Sequence, residues 1–546
     1  MKRLKLSNLF KSFTALALAT VMAFSSPISA NAAGIQGIDV SKYQGNINWT
    51  SVAQSGVSYA FLKVGSVKSG IDPYFAKNVA GAQAAGIRTG AYIYSYATTV
   101  EAAAQEANLV LQWIAPYNIN FPIAFDIEDS VQKGLDANTC TAIANTFCTI
   151  ISQAGYTPLL YTYSNFYKTH FTSALVAEKW IAQYSDHNDI AGWTIWQYSS
   201  NGAVPGIAGR VDMNMAVKDY AAFIPQVGLC DYGAGNLFFF NNFRRQFGWV
   251  DVAGVKYHTD PTSGIVTTGW FADETGSYYF MPGTANAVTG LNTIDKGIYY
   301  FNDAAQLQTG WLDLGGNTFF FNPDDNGKLY TGWWTDPAVG TRYLDPTDGH
   351  MVIGLAGIDT DTYYFNEQGL LQTGWVELNH LTYMFNPNDN GKLYKGWWND
   401  ATGAYYLDPT DAHRVTGLAA IDGAVYYFNE IGQMQVGLVN ANGKIYDFGP
   451  DGKMLTGMQA VGDGVYYFGA DGVMVTGLIQ EKDGIYYAGK DGKVVTAQTV
   501  KIGKAQYLFG VDGKLVVNQL VQIGKWLYQT DETGAVIASA PAPTTK

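Results

Sequence analysis

The chain has 546 residues, a formal net charge of −13, 14% charged residues and 14% aromatic residues. This length is sufficient for several domains, each with its own hydrophobic core. The acidic balance argues against nucleic acid as the main partner, because binding to phosphates requires a basic surface. The 61 glycines and 37 tyrosines suit carbohydrate or other weakly charged ligands better.

The N-terminal residues have the pattern of a secretory signal peptide. Four cations precede an apolar stretch, and Ala30-Asn31-Ala32 provides the A-x-A motif that signal peptidase cleaves. An uncleaved membrane anchor is less favoured because the apolar stretch is short, and no later run reaches the roughly 18 apolar residues of a membrane helix. We therefore predict a signal peptide at 1–32 and a secreted protein without a membrane span.

The three cysteines are not expected to form disulfides. Cys140 and Cys148 fall in one predicted helix, about 12 Å apart along its axis, whereas bridged α-carbons lie within roughly 7 Å of each other. Cys230 stands alone in the segment 225–235, which we predict to be a linker. A catalytic Cys–His pair is disfavoured because Cys140 and Cys148 lie among helix-core residues.

Before residue 225, apolar strand-like segments alternate with amphipathic helical stretches. Strands that are apolar on both faces and separated by helices are typical of a parallel sheet. Eight strands in about 190 residues favour an α/β fold, a compact (β/α)-barrel with some helices shortened. We place this domain at 33–224, with strands at 35–39, 58–65, 88–95, 122–128, 158–163, 179–184, 193–198 and 210–213 and helical stretches at 73–86, 99–115 and 138–154.

Acidic residues lie at the ends of three predicted strands. Asp39 ends the first strand, Asp126 and Glu128 end the apolar segment 121–128, and Asp212 lies in the last strand. Because chemistry in such barrels takes place at the carboxyl ends of the strands, we expect four carboxylates at one end. Like charges that are brought together raise one another's pKa, which keeps one acid protonated near neutral pH. Glycoside hydrolysis needs such a proton donor.

Two other interpretations of these acids compete with catalysis. Single acids at strand ends commonly cap loops or form ion pairs, here with Lys63 or Arg88. Clustered carboxylates also bind metal ions, but His170 and His187, the two histidines of this domain, lie outside any ligand-spaced motif. The D-x-E pair, together with acids on the first and last strands, favours catalysis, and we predict neither a metal nor a cofactor.

Aromatic and amide side chains end several of the same strands. Some of these rings, which are Tyr92, Tyr94, Tyr96, Tyr161, Tyr163, Trp180, Tyr184, Trp196 and Tyr198, are expected to pack in the core or rim. At the mouth of a barrel, rings also offer flat apolar faces against which sugar rings can stack. The residues predicted to bind substrate are Lys63, Tyr92, Tyr94, Tyr161, Gln183, Tyr184, Trp196 and Gln197.

Residues 34–224 resemble the glycoside hydrolase family 25 lysozymes, which occur in bacterial autolysins and phage endolysins. The matching elements follow one another in order across nearly the whole domain. The four acidic positions of the family coincide with Asp39, Asp126, Glu128 and Asp212. The matching motifs are Gly37-Ile-Asp39-Val-Ser41-Lys-Tyr-Gln44, the strand Tyr59 to Lys63, Gly90-Ala-Tyr92-Ile-Tyr94, Asp126-Ile-Glu128, Trp196-Gln197-Tyr198 and Val211-Asp212.

The resemblance implies a reaction and a role for each acid. The reaction is hydrolysis of the β-1,4 bond from N-acetylmuramic acid to N-acetylglucosamine, with Glu128 as general acid and then general base. The implied nucleophile is the 2-acetamido group of the substrate, an exception to the usual carboxylate, so the anomeric configuration is retained. Asp126 would orient and stabilise that group, while Asp39 and Asp212 would hold the sugar and tune Glu128.

The second half of the chain is repetitive. Gly followed by Trp, Leu or Met recurs every 20 to 22 residues from 248 to 477, and each unit continues with an aromatic strand and a Gly turn. A unit this small cannot bury its own core, so neighbouring β-hairpins must stack into an all-β solenoid. Residues 310–373 and 374–436 also match each other as a longer, duplicated repeat. We place the hairpin repeats at 236–536 and a flexible tail at 537–546.

The units resemble the choline-binding or cell-wall-binding repeats of Gram-positive surface proteins. In choline-binding members, two Trp and a Tyr from adjacent hairpins enclose a quaternary ammonium by cation–π attraction. Units at 418–478 have Leu or Met at the Trp position, so their aromatic residues are expected only to pack the solenoid. Choline, another teichoic acid substituent and a glucan all remain candidate ligands. The candidate ligand-binding residues are Trp249, Trp270, Trp311, Trp333, Trp375 and Trp397.

Two functional classes fit the whole sequence. One is a secreted, cell-wall-associated N-acetylmuramidase with peptidoglycan and a wall polymer as partners, in an autolytic or bacteriolytic role. The other is a non-catalytic adhesive surface protein with an inert barrel. The presence of all four acids favours the enzyme, and the signal peptide favours an exported autolysin over a phage endolysin.

Overall fold

The computed structural model describes residues 34–543, which divide into two compact units. The first unit runs to Leu312 and includes Phe320–Leu329, and the second comprises Asp313–Phe319 and the chain from Tyr330 onward. The first unit therefore contains the barrel and the first hairpins of the array. The signal peptide predicted at 1–32 lies outside the described residues.

A closed eight-stranded sheet forms the core of the N-terminal domain. Its strands, together with the two-residue β3, are β1 (Ile35–Val40), β2 (Tyr59–Ser66), β3 (Gly70–Ile71), β4 (Arg88–Tyr94), β5 (Ile123–Asp126), β6 (Pro158–Tyr163), β7 (Glu178–Ala182), β8 (Trp193–Gly202) and β9 (Val211–Ala216). Strand β1 pairs with both β2 and β9, which closes the barrel, while β3 extends β2. All eight strands predicted from the sequence are present.

The last barrel strand runs in the opposite direction to the other seven. Strand β9 is antiparallel to both of its neighbours, β8 and β1, whereas the sequence pattern had suggested a parallel sheet throughout. Only residues 203–210 connect β8 to β9, and a parallel connection needs a crossover of about a dozen residues or more. The short connection therefore obliges the chain to turn back on itself.

Helices cover only part of the barrel, as predicted. They are α1 (Trp49–Gln54), α2 (Phe75–Ala84), α3 (Val100–Ile114), α4 (Ala137–Gln153), α5 (Ser164–His170) and α6 (Tyr220–Phe223), with 3-10 turns at Lys42–Gln44 and Ser130–Gln132. Thr99 and Asp136 cap the two longest helices by accepting hydrogen bonds from backbone N–H groups of the first turn. None of the helices in residues 34–543 is long and apolar enough to span a bilayer.

The three cysteines are buried and unbridged. Cys140 and Cys148 lie on the buried face of α4 with Ile143, Phe147 and Ile151. Burial raises the pKa of the Cys148 thiol to about 12, so its reactive thiolate is scarce at neutral pH. The structure therefore gives these cysteines a packing role.

The barrel interior is filled with aromatic rings. Tyr59 stacks on Phe121 with ring centroids 4.6 Å apart, and Phe61 stacks on Trp180 at 4.3 Å. These four side chains are buried, with 5% exposure or less. The rings fill the interior, so the barrel has a packed core and not a pore.

The segment 225–235, predicted as a linker, is structured. It contains the strand β10 (Val227–Asp231), which pairs with β11 (Leu237–Asn241), and β12 (Arg244–Arg245) completes this small sheet. Phe238 and Phe240 join the apolar cluster of the barrel interior, while Phe239 packs with the following hairpin. Apolar residues on both faces of β11 thus fasten the barrel to the array, which corrects the linker prediction.

The array consists of stacked β-hairpins. Backbone hydrogen bonds link successive units, for example from Leu371 N–H to the Thr341 carbonyl and from Met454 N–H to the Val425 carbonyl, each 2.8 Å long. Within residues 34–543 the hairpins span 248–259, 269–280, 290–301, 310–322, 332–344, 354–365, 374–386, 396–407, 417–428, 437–448, 457–468, 477–488, 498–509 and 520–530. Short strands at Leu307–Gln308, Lys328–Leu329 and Lys392–Leu393 and 3-10 turns at Pro323–Asp325 and Pro387–Asp389 lie between them.

The last two hairpins lack the repeat signature, and the chain beyond them is partly ordered. These hairpins begin at Gln498 and Leu520 instead of Gly-Trp or Gly-Leu. The strand Val536–Pro541 pairs with Trp526–Thr530, so the first half of the predicted flexible tail, 537–546, belongs to the final sheet. Cross-strand backbone hydrogen bonds hold it there although its side chains are mostly exposed.

Candidate active site

The four predicted acids lie at one end of the barrel. Asp39 is the penultimate residue of β1 and pairs in register with Asp212, the second residue of β9. Asp126 ends β5, and Glu128 follows two residues later. Because β9 is antiparallel, its first residues lie at the edge where the other strands end. Asp39 and Asp126 are buried, whereas Glu128 and Asp212 are half-buried.

The carboxyl groups of Asp39 and Asp212 share a hydrogen bond. Burial, followed by the negative charge of Asp212, raises the pKa of Asp39 to about 8. Burial also raises the pKa of Asp212, and the hydrogen bond from Asp39 opposes that rise. Two carboxyl groups can share a hydrogen bond only when one of them is protonated, and these shifts assign the proton to Asp39.

Two amide side chains fix the orientation of Asp39. Its Oδ2 accepts hydrogen bonds from Gln197 Nε2 at 2.9 Å and from Asn214 Nδ2 at 2.8 Å. The Asn214 Oδ1 in turn accepts the indole N–H of Trp180 at 2.7 Å. Because an indole N–H can only donate, this contact defines which way the Asn214 amide faces. Both amides therefore donate to Oδ2 and hold the Asp39 carboxyl in one orientation.

Gln197 links the inner acid to the rim of the cleft. Its Oε1 accepts hydrogen bonds from the hydroxyl groups of Tyr161 at 3.0 Å and Tyr184 at 2.7 Å. Tyr161 is buried, whereas Tyr184 is 59% exposed. Gln197, which the sequence suggested as a sugar ligand, thus has both ends of its amide engaged by protein groups.

Asp126 and Glu128 lie beside one cation, Lys63. Burial, followed by the charge of Glu128, raises the pKa of Asp126 well above its usual value, and Lys63 opposes this rise. Burial and then the charge of Asp212 raise the pKa of Glu128, again against Lys63. The Asp126 Oδ1 is buried and has no hydrogen-bond partner within residues 34–543. Glu128, whose pKa is raised, therefore lies close to Asp126, whose buried Oδ1 has no partner among the described residues.

Neighbouring charges have structural roles. Asp129 caps the turn Ser130–Gln132 and accepts a 3.1 Å hydrogen bond from the Tyr94 hydroxyl. The backbone N–H of Val131 lowers the pKa of Asp129, the opposite direction to the four clustered acids. Arg88 donates to the carbonyl of Asn120 at 3.4 Å. Of the two cations considered from the sequence, Lys63 is therefore the one close to the acids.

Of the other predicted substrate residues, Tyr92 and Tyr94 contact groups near the acids, whereas Trp196 and Gln183 contact each other. Tyr92 contacts the buried Trp180 edge to face at 6.3 Å, and the Lys63 ammonium lies 4.8 Å from the ring centroid of Tyr94. Trp196 lies on the opposite face of β8 from Gln197, because successive side chains alternate along a strand. Its indole N–H donates to the carbonyl of Gln183 at 2.8 Å. The structure thus separates Trp196 from the face of β8 that carries the acid network.

Asn214 is a site residue that the sequence analysis missed. It is fully buried, and its amide is the link between Trp180 and Asp39 described above. The available signal was its position two residues after Asp212, which places both side chains on the same face of β9. An amide carries no charge, so a search for acids passed over it.

The Asp39→Asn variant is expected to gain stability relative to wild type as the pH rises. The pKa of Asp39 is about 8 in the folded protein against a usual value of 3.8, so the folded state holds a proton that the unfolded state releases. The wild type therefore loses stability as the pH rises between these values. Asn cannot ionise, and its amide replaces the protonated carboxyl. The calorimetric melting temperature of the variant minus that of the wild type should therefore be greater at about pH 8 than at about pH 5.

One outcome of this comparison would contradict the raised pKa of Asp39. A difference in melting temperature that is equal at both pH values would show that Asp39 ionises normally in the folded protein. Asp129→Asn provides the control, since backbone contacts lower the pKa of Asp129. A group of that kind contributes stability above its unfolded pKa, so its variant should not gain stability with rising pH.

Three tryptophans of the array share one arrangement of rings, here called the two-tyrosine box. In each box the Trp faces the Tyr directly across its own hairpin and a Tyr of the next hairpin. The centroid distances are 5.3 and 5.1 Å for Trp270 with Tyr279 and Tyr299, 4.9 and 5.0 Å for Trp333 with Tyr343 and Tyr363, and 5.0 and 5.0 Å for Trp397 with Tyr406 and Tyr426. The ring planes meet at 61° to 74°, so the rings form walls instead of a flat stack.

The other tryptophans have different cross-strand neighbours. Trp249 lies opposite His258, and its indole N–H donates to Asp273 at 2.9 Å. Trp375 lies opposite Met384, and the Arg414 guanidinium carbon is 5.3 Å from its ring centroid. The ring of Trp311 contacts Phe320 at 4.7 Å. The six tryptophans share one sequence motif, but only Trp270, Trp333 and Trp397 share the two-tyrosine box.

Comparison with known proteins identifies both parts of the chain. The family described as "Glycosyl hydrolases family 25" matches residues 38–207, and the "Putative cell wall binding repeat" matches residues 459–474. The uncharacterized protein YegX of Escherichia coli K12 is 32% identical over 203 residues, which cover 35% of this chain and 73% of YegX. Lysozyme M1 of Streptomyces globisporus is 29% identical over 202 residues, covering 34% of this chain and 68% of that protein. The solved structure of a bacterial lysozyme from Streptomyces coelicolor is 28% identical, covers 34% of this chain and 93% of that chain, and has a TM-score of 0.30.

Proposed function

Because this protein belongs to glycosyl hydrolase family 25 and is a glycosidase, we propose that it is an N-acetylmuramidase. Its barrel would cleave the β-1,4 bond between N-acetylmuramic acid and N-acetylglucosamine in peptidoglycan. The observation that carries this proposal is the group of four carboxyls at one end of the barrel, with burial raising the pKa of each. Such shifts are characteristic of catalytic acids. Burying an acid costs stability, and catalysis gives a reason to keep it buried.

In the proposed mechanism, Glu128 is the general acid. The raised pKa of Glu128 keeps its carboxyl protonated to a higher pH than usual, so it can donate the proton that the leaving oxygen needs. Asp212 sustains this shift because its negative charge disfavours ionisation of Glu128. The Asp39 proton and the two amides in turn hold the Asp212–Asp39 pair in one arrangement. After the aglycone leaves, the Glu128 carboxylate takes a proton from the attacking water.

Asp126 is the proposed partner of the substrate acetamido group. Its Oδ1 is buried and lacks a hydrogen-bond partner within the described residues. An unsatisfied buried acceptor is costly, and the N–H of a 2-acetamido group placed there would satisfy it. That hydrogen bond would orient the acetamido oxygen towards the anomeric carbon and stabilise the positive charge that develops on the group. Catalysis would then need no carboxylate nucleophile.

Analysis of the released fragments tests both the bond that is cleaved and the mechanism. Digestion of purified sacculi is expected to release fragments with N-acetylmuramic acid at the reducing end and with retained anomeric configuration. Retention follows because the acetamido group first displaces the aglycone and water then displaces the acetamido group. Each displacement inverts the anomeric carbon, so two of them restore its configuration. Mass spectrometry identifies the end sugar, and proton NMR of the fresh product gives its anomer. Reducing N-acetylglucosamine ends or an inverted anomer would contradict the proposal.

A non-catalytic adhesive protein is the alternative that the sequence leaves open. An inert barrel would not need to keep several acids in a cleft where burial disfavours their charged forms. Asp129 provides the contrast, because it caps a turn and its pKa is lowered by the backbone N–H of Val131. The glycosidase is therefore the function that the geometry supports best.

For the array, we propose that the two-tyrosine boxes bind cationic substituents of a wall polymer. Each box brings one Trp ring and two Tyr rings together, and an ammonium group is attracted to the negative faces of such rings. Trp270 and Trp333 are 44% and 38% exposed, so a polymer can reach them. Choline is one such substituent and another ammonium-bearing substituent of teichoic acid is a second, whereas a neutral glucan would need sugar stacking instead.

Export completes the proposed function. Residues 1–32 would direct secretion and be removed, after which the barrel at 33–224 and the repeats at 236–536 would act together at the cell wall. The array would raise the local concentration of the catalytic domain on its insoluble substrate. We propose a role in peptidoglycan turnover or lysis, either autolytic or bacteriolytic.

A further inference from the structure

A cavity lies at the end of the barrel opposite the four acids. It has a volume of about 620 Å³ and lies between α4, the first residues of β6 and β7, and the β10–β12 sheet. Pro158 and Glu178, which line it, are the first residues of their strands, whereas the acids occupy the opposite ends. Its volume is within the range of small-molecule binding sites, about 300–1,000 Å³.

The cavity wall carries a guanidinium group without an acidic partner. Arg245 Nη2 donates to Ser152 Oγ at 3.1 Å, and its guanidinium carbon lies 4.7 Å from the ring centroid of Phe238. Within residues 34–543, Arg245 forms no ion pair with any carboxylate. Burial lowers the pKa of Arg245, so its charge has lost part of its hydration. Since a guanidinium has five N–H donors, most of them remain available to a ligand.

The acid that lines the cavity is already neutralised. One carboxylate oxygen of Glu178 forms an ion pair with Lys218, and the other accepts the hydroxyl of Tyr220. Glu178 therefore does not compensate Arg245. Among the described residues that line the cavity, Arg245 is therefore the charged group that has no charged partner.

We propose that this cavity binds a saccharide or polyol that carries an oxyanion, either a carboxylate or a phosphate. The planar fork of Arg245 matches two oxygens of such a group. Polar side chains of Gln153, Asn236 and Thr262 line the cavity beside it, where they can bind hydroxyl groups. The rings of Tyr232 and Phe247 provide apolar faces for a sugar. This site depends neither on the catalytic acids nor on the array ligand.

Wall polymers offer two sources of this chemistry, and a titration distinguishes them. N-acetylmuramic acid carries a carboxylate on a sugar, glycerol 3-phosphate carries a phosphate on a polyol, and N-acetylglucosamine is the neutral control. Calorimetric titration of the full chain is expected to show binding of at least one anionic probe that Arg245→Gln weakens about tenfold or more. If Arg245→Gln weakens binding of N-acetylmuramic acid, the ligand carries a carboxylate. If it weakens binding of glycerol 3-phosphate, the ligand carries a phosphate.

Arg244→Gln is the matched control for the proposed site. Arg244 neighbours Arg245 on the same strand, but its guanidinium carbon lies over Tyr156 at 4.8 Å and it does not line the cavity. This variant should bind both anionic probes as wild type does. Equal losses in the two variants would overturn the proposal, because they would reveal a general electrostatic attraction. Unchanged binding in Arg245→Gln would overturn it directly.

Ser152→Glu tests the site without removing the arginine. The new carboxylate would lie beside Arg245 and supply the partner that the ligand provides, so anion binding should be lost while the melting temperature is kept or raised. Sacculus hydrolysis by this variant should equal that of wild type, which separates this site from the active site. Undiminished binding of the anionic probes by a folded Ser152→Glu variant would overturn the proposal.

Discussion

The Glu128→Gln variant should retain less than about 1% of the wild-type rate of sacculus hydrolysis, since loss of a general acid costs about 10²–10⁴-fold. Gln has the same shape as protonated Glu but has no acidic proton to give to the leaving oxygen. Binding of the variant to whole walls should be unchanged, because the array is intact. Release of soluble reducing ends measures hydrolysis, and sedimentation with sacculi measures binding.

Two neighbouring acids make this expectation specific. Asp129→Asn changes the adjacent residue, and Asn caps the following turn as well as Asp does, so activity should stay within about twofold of wild type. Asp126→Asn keeps the shape of the acid but removes the carboxyl group proposed to stabilise the acetamido group, and should also be strongly impaired. Residual hydrolysis by Glu128→Gln well above 1% would mean that another acid donates the proton. A loss of wall binding in the same variant would make the barrel the main anchor.

The acid chemistry also predicts how the rate depends on pH. Glu128 acts in its protonated form, and its pKa is raised. Activity should therefore persist above the usual range of a glutamate and fall as the pH rises through this higher pKa. A rate that instead rises with pH over that range would show that Glu128 works as a base in the limiting step.

Replacing the three box tryptophans by leucine should abolish most of the affinity for choline resin or for purified walls. The changes are Trp270→Leu, Trp333→Leu and Trp397→Leu. Leu occupies the same position natively at 291, 355 and 418, so the hairpins should fold. Each desolvated cation–π contact contributes on the order of 2 kcal/mol, and sites in tandem multiply through avidity. The loss should therefore be far larger than that from any single variant.

The combined variant Trp249→Leu and Trp375→Leu is the matched control. These tryptophans lie opposite His258 and Met384 instead of tyrosines, so wall binding should be largely retained. Affinity is accordingly expected in residues 248–428, which include Tyr426 of the third box, and not in the hairpins that follow. Free choline should compete if the ligand is choline. Wall binding that survives all five substitutions and ignores choline would point to a glycan that stacks on the tyrosine-rich strands.

Local patterns in the amino-acid sequence predicted the barrel strands, the long helices and the four acids. A strand has a period of two and a helix a period of 3.6, so local patterns located all eight barrel strands and the long helices. The same period of two placed Asp126 and Glu128 on one face. Repetition every 20 to 22 residues revealed twelve of the hairpins, and only those beginning at Gln498 and Leu520 escaped because they lack the Gly signature.

The contacts between elements that are distant in sequence could be read only from the folded structure. The reversal of β9 puts Asp212 beside Asp39, and the indole N–H of Trp180 orients Asn214 from another strand. Likewise, β10 is a strand because it pairs with β11 and packs against two flanking cores, contacts that the sequence pattern of 225–235 did not indicate. The six tryptophans differ in the residue across the hairpin and in the next unit, not in their own motif. Such contacts join residues far apart in sequence, and their free energy depends on a register that no local pattern records.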